Sequence, residues 1–279
     1  MSFRTYHELT GGDRSALGAQ VAAQRRRVHA RMTGVRRLIA VASGKGGVGK
    51  SHVTAAVARS AARHLPGSVG VLDADLHGPT MPRLLAARGP LRVDGTGVVE
   101  PAVGRDGVRV VSTALLLEAD APLAWRTPDV EAHVWRGALE AGTLRELLAD
   151  VAWGTLDLLL VDLPPGVDRL RDLAALVPRL DGVLAVTIPS EESRAAVARA
   201  MRAAAGAGIP LLGVVENMSV HSCTTCGAAG RLFDGDAGAS LADAFRVPLL
   251  GRLPFAPPGT CDPADAAAPL TRALLERVT

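Results

Sequence analysis

Apolar residues in this chain fall into short, unbroken runs separated by longer stretches with helical spacing. The runs are Arg37 to Ala42, Ser68 to Asp73, Val108 to Val111, Leu156 to Asp162, Gly182 to Ile188, Ile209 to Val215 and Pro248 to Leu253. They lack the polar alternation of a half-solvated strand, so each predicts a strand buried on both faces. Val53 to Leu65, Val130 to Leu148, Glu191 to Ala205 and Ala237 to Phe245 predict helices between them. This alternation predicts an α/β fold with a doubly wound, mostly parallel sheet of about seven strands. Leu91 to Ala102 carries Asp94-Gly95 between short apolar stretches and predicts a hairpin appended to that sheet. Residues 13 to 32 place Leu17, Val21, Val28 and Met32 along one helical face, among Arg25, Arg26, Arg27 and Arg31. That helix either packs on the body or meets a partner or anionic surface. The chain therefore divides into an arginine-rich arm, residues 1–36, and a domain spanning 37–279.

Composition narrows the function classes. Apolar residues make up 48% of the 279 positions but aromatic residues only 3%, too few rings for a base-stacking surface, so no nucleic acid partner is expected. Residues 1 to 37 hold eight arginines against Glu8 and Asp13, so the net charge of +3 is +6 there and −3 over the rest. No apolar run approaches the length of a membrane span and Met1 to Arg14 has no apolar signal core, which predicts a soluble, cytoplasmic protein without a membrane partner. Three cysteines do not make a secreted disulfide framework.

The chemistry concentrates at strand ends. Gly44-Lys45-Gly46-Gly47-Val48-Gly49-Lys50-Ser51 matches G-x-x-x-x-G-K-[ST] between a predicted strand and a predicted helix, which is the setting a phosphate loop requires. Its glycines let backbone N–H groups turn toward an anion, and the new helix presents its positive end. Lys50 would reach the β and γ phosphates and Ser51 would ligate Mg2+. Lys45 is the only other lysine in the chain, the remaining 29 cationic residues being arginine. Asp75 follows the second strand, where a carboxylate can orient a water or contact Mg2+, or simply cap a helix. Asp162 ends the most apolar strand ahead of Leu163-Pro164-Pro165-Gly166, the Walker B arrangement, and would hold the Mg2+ shell through water. Asn217 follows the sixth strand, and its amide can satisfy the edge of adenine or serve a turn. Cys223-Thr224-Thr225-Cys226 offers two thiolates, half the set that Zn2+ or a 4Fe-4S cluster needs. Either His221 and Cys261 complete the set, or a twofold axis supplies the same pair from a second copy, or the pair is a redox disulfide.

Together these segments closely resemble the Mrp/ApbC family of iron-sulfur P-loop ATPases, which belong with the MinD and ParA-like ATPases. The resemblance covers roughly residues 32 to 258. It rests on Val41-Ala42-Ser43 before the loop, Asp73-Ala74-Asp75 with Gly78-Pro79, Trp153-Gly154, Asp162 to Gly166, Gly213 to Ser219, and the C-x-x-C-G. It implies a homodimer binding ATP near its interface, with Lys45 reaching across, Asn217 contacting adenine and Asp75 positioning water. It also implies that Cys223 and Cys226 of two subunits bridge one labile 4Fe-4S cluster that passes to apoprotein clients while ATP is slowly hydrolysed. The competing reading is a MinD-like dimerisation switch with structural Zn2+ on the cysteines. The chain departs from the family pattern at His52, where Thr usually stands beside the α-phosphate. It departs again at Val167-Asp168, about one residue short, and in extra sequence between Trp125-Arg126 and Trp135-Arg136.

Overall fold

The computed structural model of the protein describes residues 17–116, 132–166, 168–222, 228–255 and 261–278. In chain order the strands are β1 (Leu38–Ala42), β2 (Val69–Asp73), β3 (Arg92–Val93), β4 (Val99–Glu100), β5 (Ala102–Val103), β6 (Arg109–Val111), β7 (Leu158–Asp162), β8 (Gly182–Thr187), β9 (Leu211–Glu216), β10 (His221–Ser222), β11 (Ala229–Gly230) and β12 (Leu249–Arg252). The helices are α1 (Leu17–Met32), α2 (Lys50–His64), α3 (Met81–Leu85), α4 (Ala132–Ala149), α5 (Asp168–Leu176), α6 (Glu191–Gly206), α7 (Ala237–Phe245), α8 (Pro263–Ala266) and α9 (Ala268–Glu276).

One eight-stranded sheet runs β12-β9-β8-β1-β7-β2-β6-β5, and every pairing in it is parallel except β5 with β6. The unbroken apolar composition of β1, β2 and β7 is explained by burial of every residue in all three. Because β7 lies between β1 and β2 while β8 lies on the other side of β1, the chain changes direction at β1. That reversal opens a crevice beyond the carboxyl ends of these strands. The register sets Val41 beside Asp162 and Asp162 beside Asp73, so the acids at two strand ends flank the start of the phosphate loop. The α/β class and the mostly parallel sheet agree with the sequence reading.

Two details differ. The sheet has eight strands because the two-residue β5 adds an antiparallel edge, too short to show as an apolar run. The hairpin at Leu91 to Ala102 is not appended to the sheet: β3 pairs with β4 in a small sheet of its own. Its turn is held by Asp94 Oδ1, which accepts from the backbone of Thr96 and Val98 and from the Thr96 hydroxyl. Val99 then exchanges backbone bonds with Asp150 and Ala152, which stitches the hairpin to the segment after α4.

The arginine-rich helix α1 lies along α4, with Val28 and Met32 buried; the side chains of Leu17 and Val21 fall outside the described residues. Arg31 Nε donates to the Ala149 carbonyl at 3.3 Å, and Arg27 lies 3.5 Å from Asp150. The segment 117–131, including Trp125-Arg126, and the side chains of Trp135 and Arg136 likewise lie outside the described residues.

The helix that leaves the phosphate loop is pinned at its far end. Arg59 on α2 forks onto Asp262, donating at 2.7 and 3.0 Å, and donates to Asp106 at 2.6 Å; Arg63 reaches Asp262 and Asp265 at 2.6 Å each. These bonds hold the carboxyl of Asp262 well below the usual aspartate range. Arg59→Lys keeps the charge and loses the fork, and is expected to lower the unfolding free energy by about 1–2 kcal/mol in a denaturant titration. An unchanged midpoint would contradict that role.

Candidate nucleotide site

The phosphate loop leaves β1 through Ser43 and turns on two residues in the left-handed region, Gly47 (φ 79°) and Gly49 (φ 76°), a conformation that a side chain disfavours. Gly44 is needed for a different reason: a Cβ there would fall 2.1 Å from the Ala196 carbonyl carbon, so the loop lies directly on the backbone of α6. Ser190 caps that helix by accepting from Ser193 N–H, and Glu191 and Glu192 occupy its first turn. At Gly49 a Cβ would meet the Asn217 amide nitrogen at 2.3 Å. Asn217 itself donates through Nδ2 to the Val48 carbonyl at 3.0 Å, so in this structure the amide braces the loop from the end of β9.

Three side chains from the start of α2 converge on Asp162, which has no exposed surface. Lys50 Nζ lies 2.8 Å from Oδ2, the Ser51 hydroxyl donates to the same oxygen at 2.6 Å, and the Thr54 hydroxyl donates to Oδ1 at 2.7 Å. The lysine side chain is only 6% exposed. A buried carboxylate and ammonium are tolerable only when both are paired and hydrogen-bonded, which this cluster provides. Thr54 was not singled out from the sequence because the loop motif ends at Ser51. Its signal is helical spacing, three residues beyond Ser51 and four beyond Lys50, on the same face. The Ser51 hydroxyl and the Asp162 carboxylate form the all-oxygen donor pair that suits a hard divalent cation such as Mg2+.

The second strand contributes a buried acid, Asp73, to which the sequence reading gave no role of its own. Asp73 Oδ2 accepts from Thr80 N–H at 2.9 Å, Met81 N–H at 3.0 Å and the Ser112 hydroxyl at 3.2 Å. It thereby fastens the root of the loop carrying Asp75. Burial outweighs these donors and, with Asp162 nearby, pushes the Asp73 carboxyl up to about 7. Asp75 is half-buried, its Oδ1 accepting from Gly78 N–H at 3.2 Å. A cleft of about 350 Å³ is lined by the loop from Lys45 to His52 together with Asp75, Thr80, Pro165 and Met218. Lys45 lines this cleft, with no carboxylate in ion-pair distance among the described residues. His52 stands at its mouth, where desolvation and the Arg83 guanidinium hold the imidazole below its ordinary value against the pull of Asp162.

The other predicted ligands are distributed differently. Cys223 and Cys226 lie outside the described residues, between the paired strands β10 and β11, where His221 faces Gly230 and Ser222 faces Ala229. His221 Nδ1 is buried without a partner and its ring lies against Phe255. Cys261 is exposed, beside the Asp262 that holds Arg59. Among the described residues no three His, Cys, Asp or Glu side chains converge as a metal site.

The loop, the convergent Lys50 and Ser51, and the strand-end Asp162 have the form of a phosphate cradle, and the chain is similar to known P-loop NTPases. Residues 34–276 match the model of the ParA family described as NUBPL iron-transfer P-loop NTPase. This chain belongs to that family. It is 38% identical over 258 residues to the iron-sulfur cluster carrier protein of Saccharolobus solfataricus, covering 92% of this chain and 83% of that one. It is 39% identical over 236 residues to the cytosolic Fe-S cluster assembly factor NUBP2 of Bos taurus, covering 81% and 82%. Among solved structures it superposes on the nucleotide-binding protein of Archaeoglobus fulgidus in complex with ADP, with a TM-score of 0.67 and 32% identity, covering 90% of this chain and 92% of that one. The family membership and the P-loop NTPase fold are those that the sequence resemblance implied.

Two measurements test the site. Lys50→Ala is expected to weaken ATP binding by about 100-fold or more in calorimetry, because it removes the cation and leaves Asp162 buried without it; unchanged affinity would contradict the assignment. For Asp73 in the ligand-free protein, the native carboxyl holds its proton up to about 7 while the unfolded chain loses it near 3.8. Its contribution to stability is therefore greatest below the unfolded value and falls as pH rises toward the native one. The unfolding free energy of the natural protein minus that of Asp73→Asn should fall between those two values, and a flat difference would refute the shift.

Proposed function

We propose that this protein is an ATP-binding, slowly hydrolysing homodimer that carries a 4Fe-4S cluster on Cys223 and Cys226 and delivers it to apoproteins in the cytoplasm. The observation that carries the reading is the convergence of Lys50, Ser51 and Thr54 on Asp162 in a chain of the iron-transfer NTPase family. The relatives named as iron-sulfur carriers and assembly factors, which match over most of their length, give the cargo its chemical class.

In this reading ATP lies along the loop from Gly44 to Ser51, with Lys50 on the β and γ phosphates and Asn217 toward adenine. Ser51 and Asp162 would hold Mg2+, which would supply neutralisation of the phosphate charge. Asp75 orients the attacking water, and Lys45, which has no carboxylate partner among the described residues, is available to the phosphates of a second copy's nucleotide. His52, held neutral, stands where the loop meets the α-phosphate. Each chain offers the two thiolates of Cys223 and Cys226, and a second copy completes the four that a cluster needs. The base of the β10–β11 pair exposes Val220 and Phe255, joined by a 2.7 Å backbone bond, and Leu232 follows it, an apolar surface suited to a second copy. Among the described residues no helix is long and apolar enough to cross a membrane.

Replacing Cys223 and Cys226 together by Ala should abolish the cluster formed on anaerobic reconstitution with iron and sulfide, about four iron per dimer in the natural protein, while ATP affinity stays within about twofold. A cluster retained in the double variant would overturn the bridging role. Binding of Zn2+ alone by the natural protein would favour the dimerisation switch instead.

A further inference from the structure

Beside the nucleotide cleft lies a second one of about 590 Å³, lined by the loop after β2, the turn after β7 and the middle of α4. Asp75 and Pro165 belong to both clefts. Two of the polar groups of the second cleft, His77 and Arg169, are tied together by a single carboxylate. Glu140 on α4, 12% exposed, has Oε1 2.6 Å from His77 Nε2, and its Oε2 pairs with the guanidinium of Arg169. Arg169 NH1 also donates to Asp172 at 3.1 Å, which fixes the guanidinium at the start of α5.

His77 is two residues beyond Asp75, and Arg169 is three residues beyond Gly166. Among the described residues the loops are also held at their roots, where Asp73 holds Thr80 and Met81 and Gly166 N–H donates to the Ser43 carbonyl at 3.2 Å, and within the first loop by the Gly78 to Asp75 bond. Glu140 therefore bridges the loop after β2, through His77, to the first turn of α5, through Arg169, and the turn after β7 leads into that helix.

We propose that Glu140 is a positioning residue for hydrolysis, coupling the Asp75 loop to the Pro164-Pro165-Gly166 turn through His77 and Arg169. The inference rests on the reading that these two loops flank the γ-phosphate. With the bridge intact, a displacement of the turn is passed to the loop holding the water-orienting carboxylate. Without it, each loop moves alone and the attacking water is held less well. Lys50, Ser51 and Asp162 bind nucleotide independently of the bridge, so the effect falls on turnover rather than on affinity.

The test compares the natural protein with Glu140→Ala, Glu140→Gln, His77→Ala and the Glu140→Ala/His77→Ala pair. Steady-state hydrolysis and hydrogen exchange of peptides covering residues 74–80 and 163–166 are measured for each. Glu140→Ala is expected to lower kcat about tenfold or more with KM for ATP changed less than about threefold, and to raise exchange in both loops together. Glu140→Gln keeps the side-chain length and an acceptor for Arg169, and should retain kcat within about threefold. His77→Ala should add little once Glu140 is gone. An unchanged kcat in Glu140→Ala, kcat and KM effects that track a general loss of stability, or additive effects in the pair would overturn the proposal. Should Glu140→Ala not fold, His77→Ala alone removes the other end of the bridge and is expected to lower kcat with KM little changed, and an unchanged kcat there overturns the proposal. Failure of the functional reading itself is seen separately, as absent ATP binding or turnover in the natural protein, and the exchange result on the two loops then still decides whether Glu140 couples them.

Discussion

The arrangement of this site depends on one buried carboxylate. Asp162 has no exposed surface, and a charge in that position is sustainable only because Lys50, Ser51 and Thr54 all aim at it from the first two turns of α2. That requirement fixes α2 against β7, which fixes the loop preceding α2. The loop in turn can lie flat on α6 only because Gly44 has no Cβ. Asn217 closes the arrangement from β9 by holding the Val48 carbonyl. Strands from both sides of β1 therefore share in shaping a cradle that no single element could form.

A parallel sheet suits this purpose. Its strands are buried on both faces and are rigid, and their carboxyl ends gather the loops that act. The 162–73 pairing puts two acids side by side in a place where water is excluded, and their partners differ. Asp162 has a cation and two hydroxyl donors. Asp73 has donors but no cation, and burial raises it to about 7. One acid is then suited to the cationic face of the nucleotide site, the other to fastening the Asp75 loop.

The sheet and the phosphate loop were legible in the sequence because buried parallel strands are written as unbroken apolar runs and because the loop's glycines and lysine sit at fixed intervals. Features that depend on partners far away in the chain were not. The two-residue β5 has no periodicity to read, and the Leu91 to Ala102 hairpin found its partner in the segment after α4 rather than in the sheet. Thr54, Asp73 and Glu140 look like ordinary helix or strand-end residues until the fold brings Asp162, Ser112, His77 and Arg169 against them. Asn217 was picked out as a possible adenine contact, whereas its bond to the loop depends on a 169-residue separation that spacing cannot reveal. The cysteine pair was visible as C-x-x-C, and its place between two paired strands became apparent only with the fold.

In the proposed function, bound nucleotide governs how the cluster carried by the same molecule is held and released. The most direct measurement loads the protein anaerobically and follows, by absorption, the rate of cluster transfer to an excess of an apoprotein acceptor, with Mg-ATP and without it. The account predicts rates that differ by at least about fivefold, the lower end of ordinary coupling between sites, and loss of that difference in Lys50→Ala. Equal rates in the natural protein, with ATP shown to be bound, would contradict it.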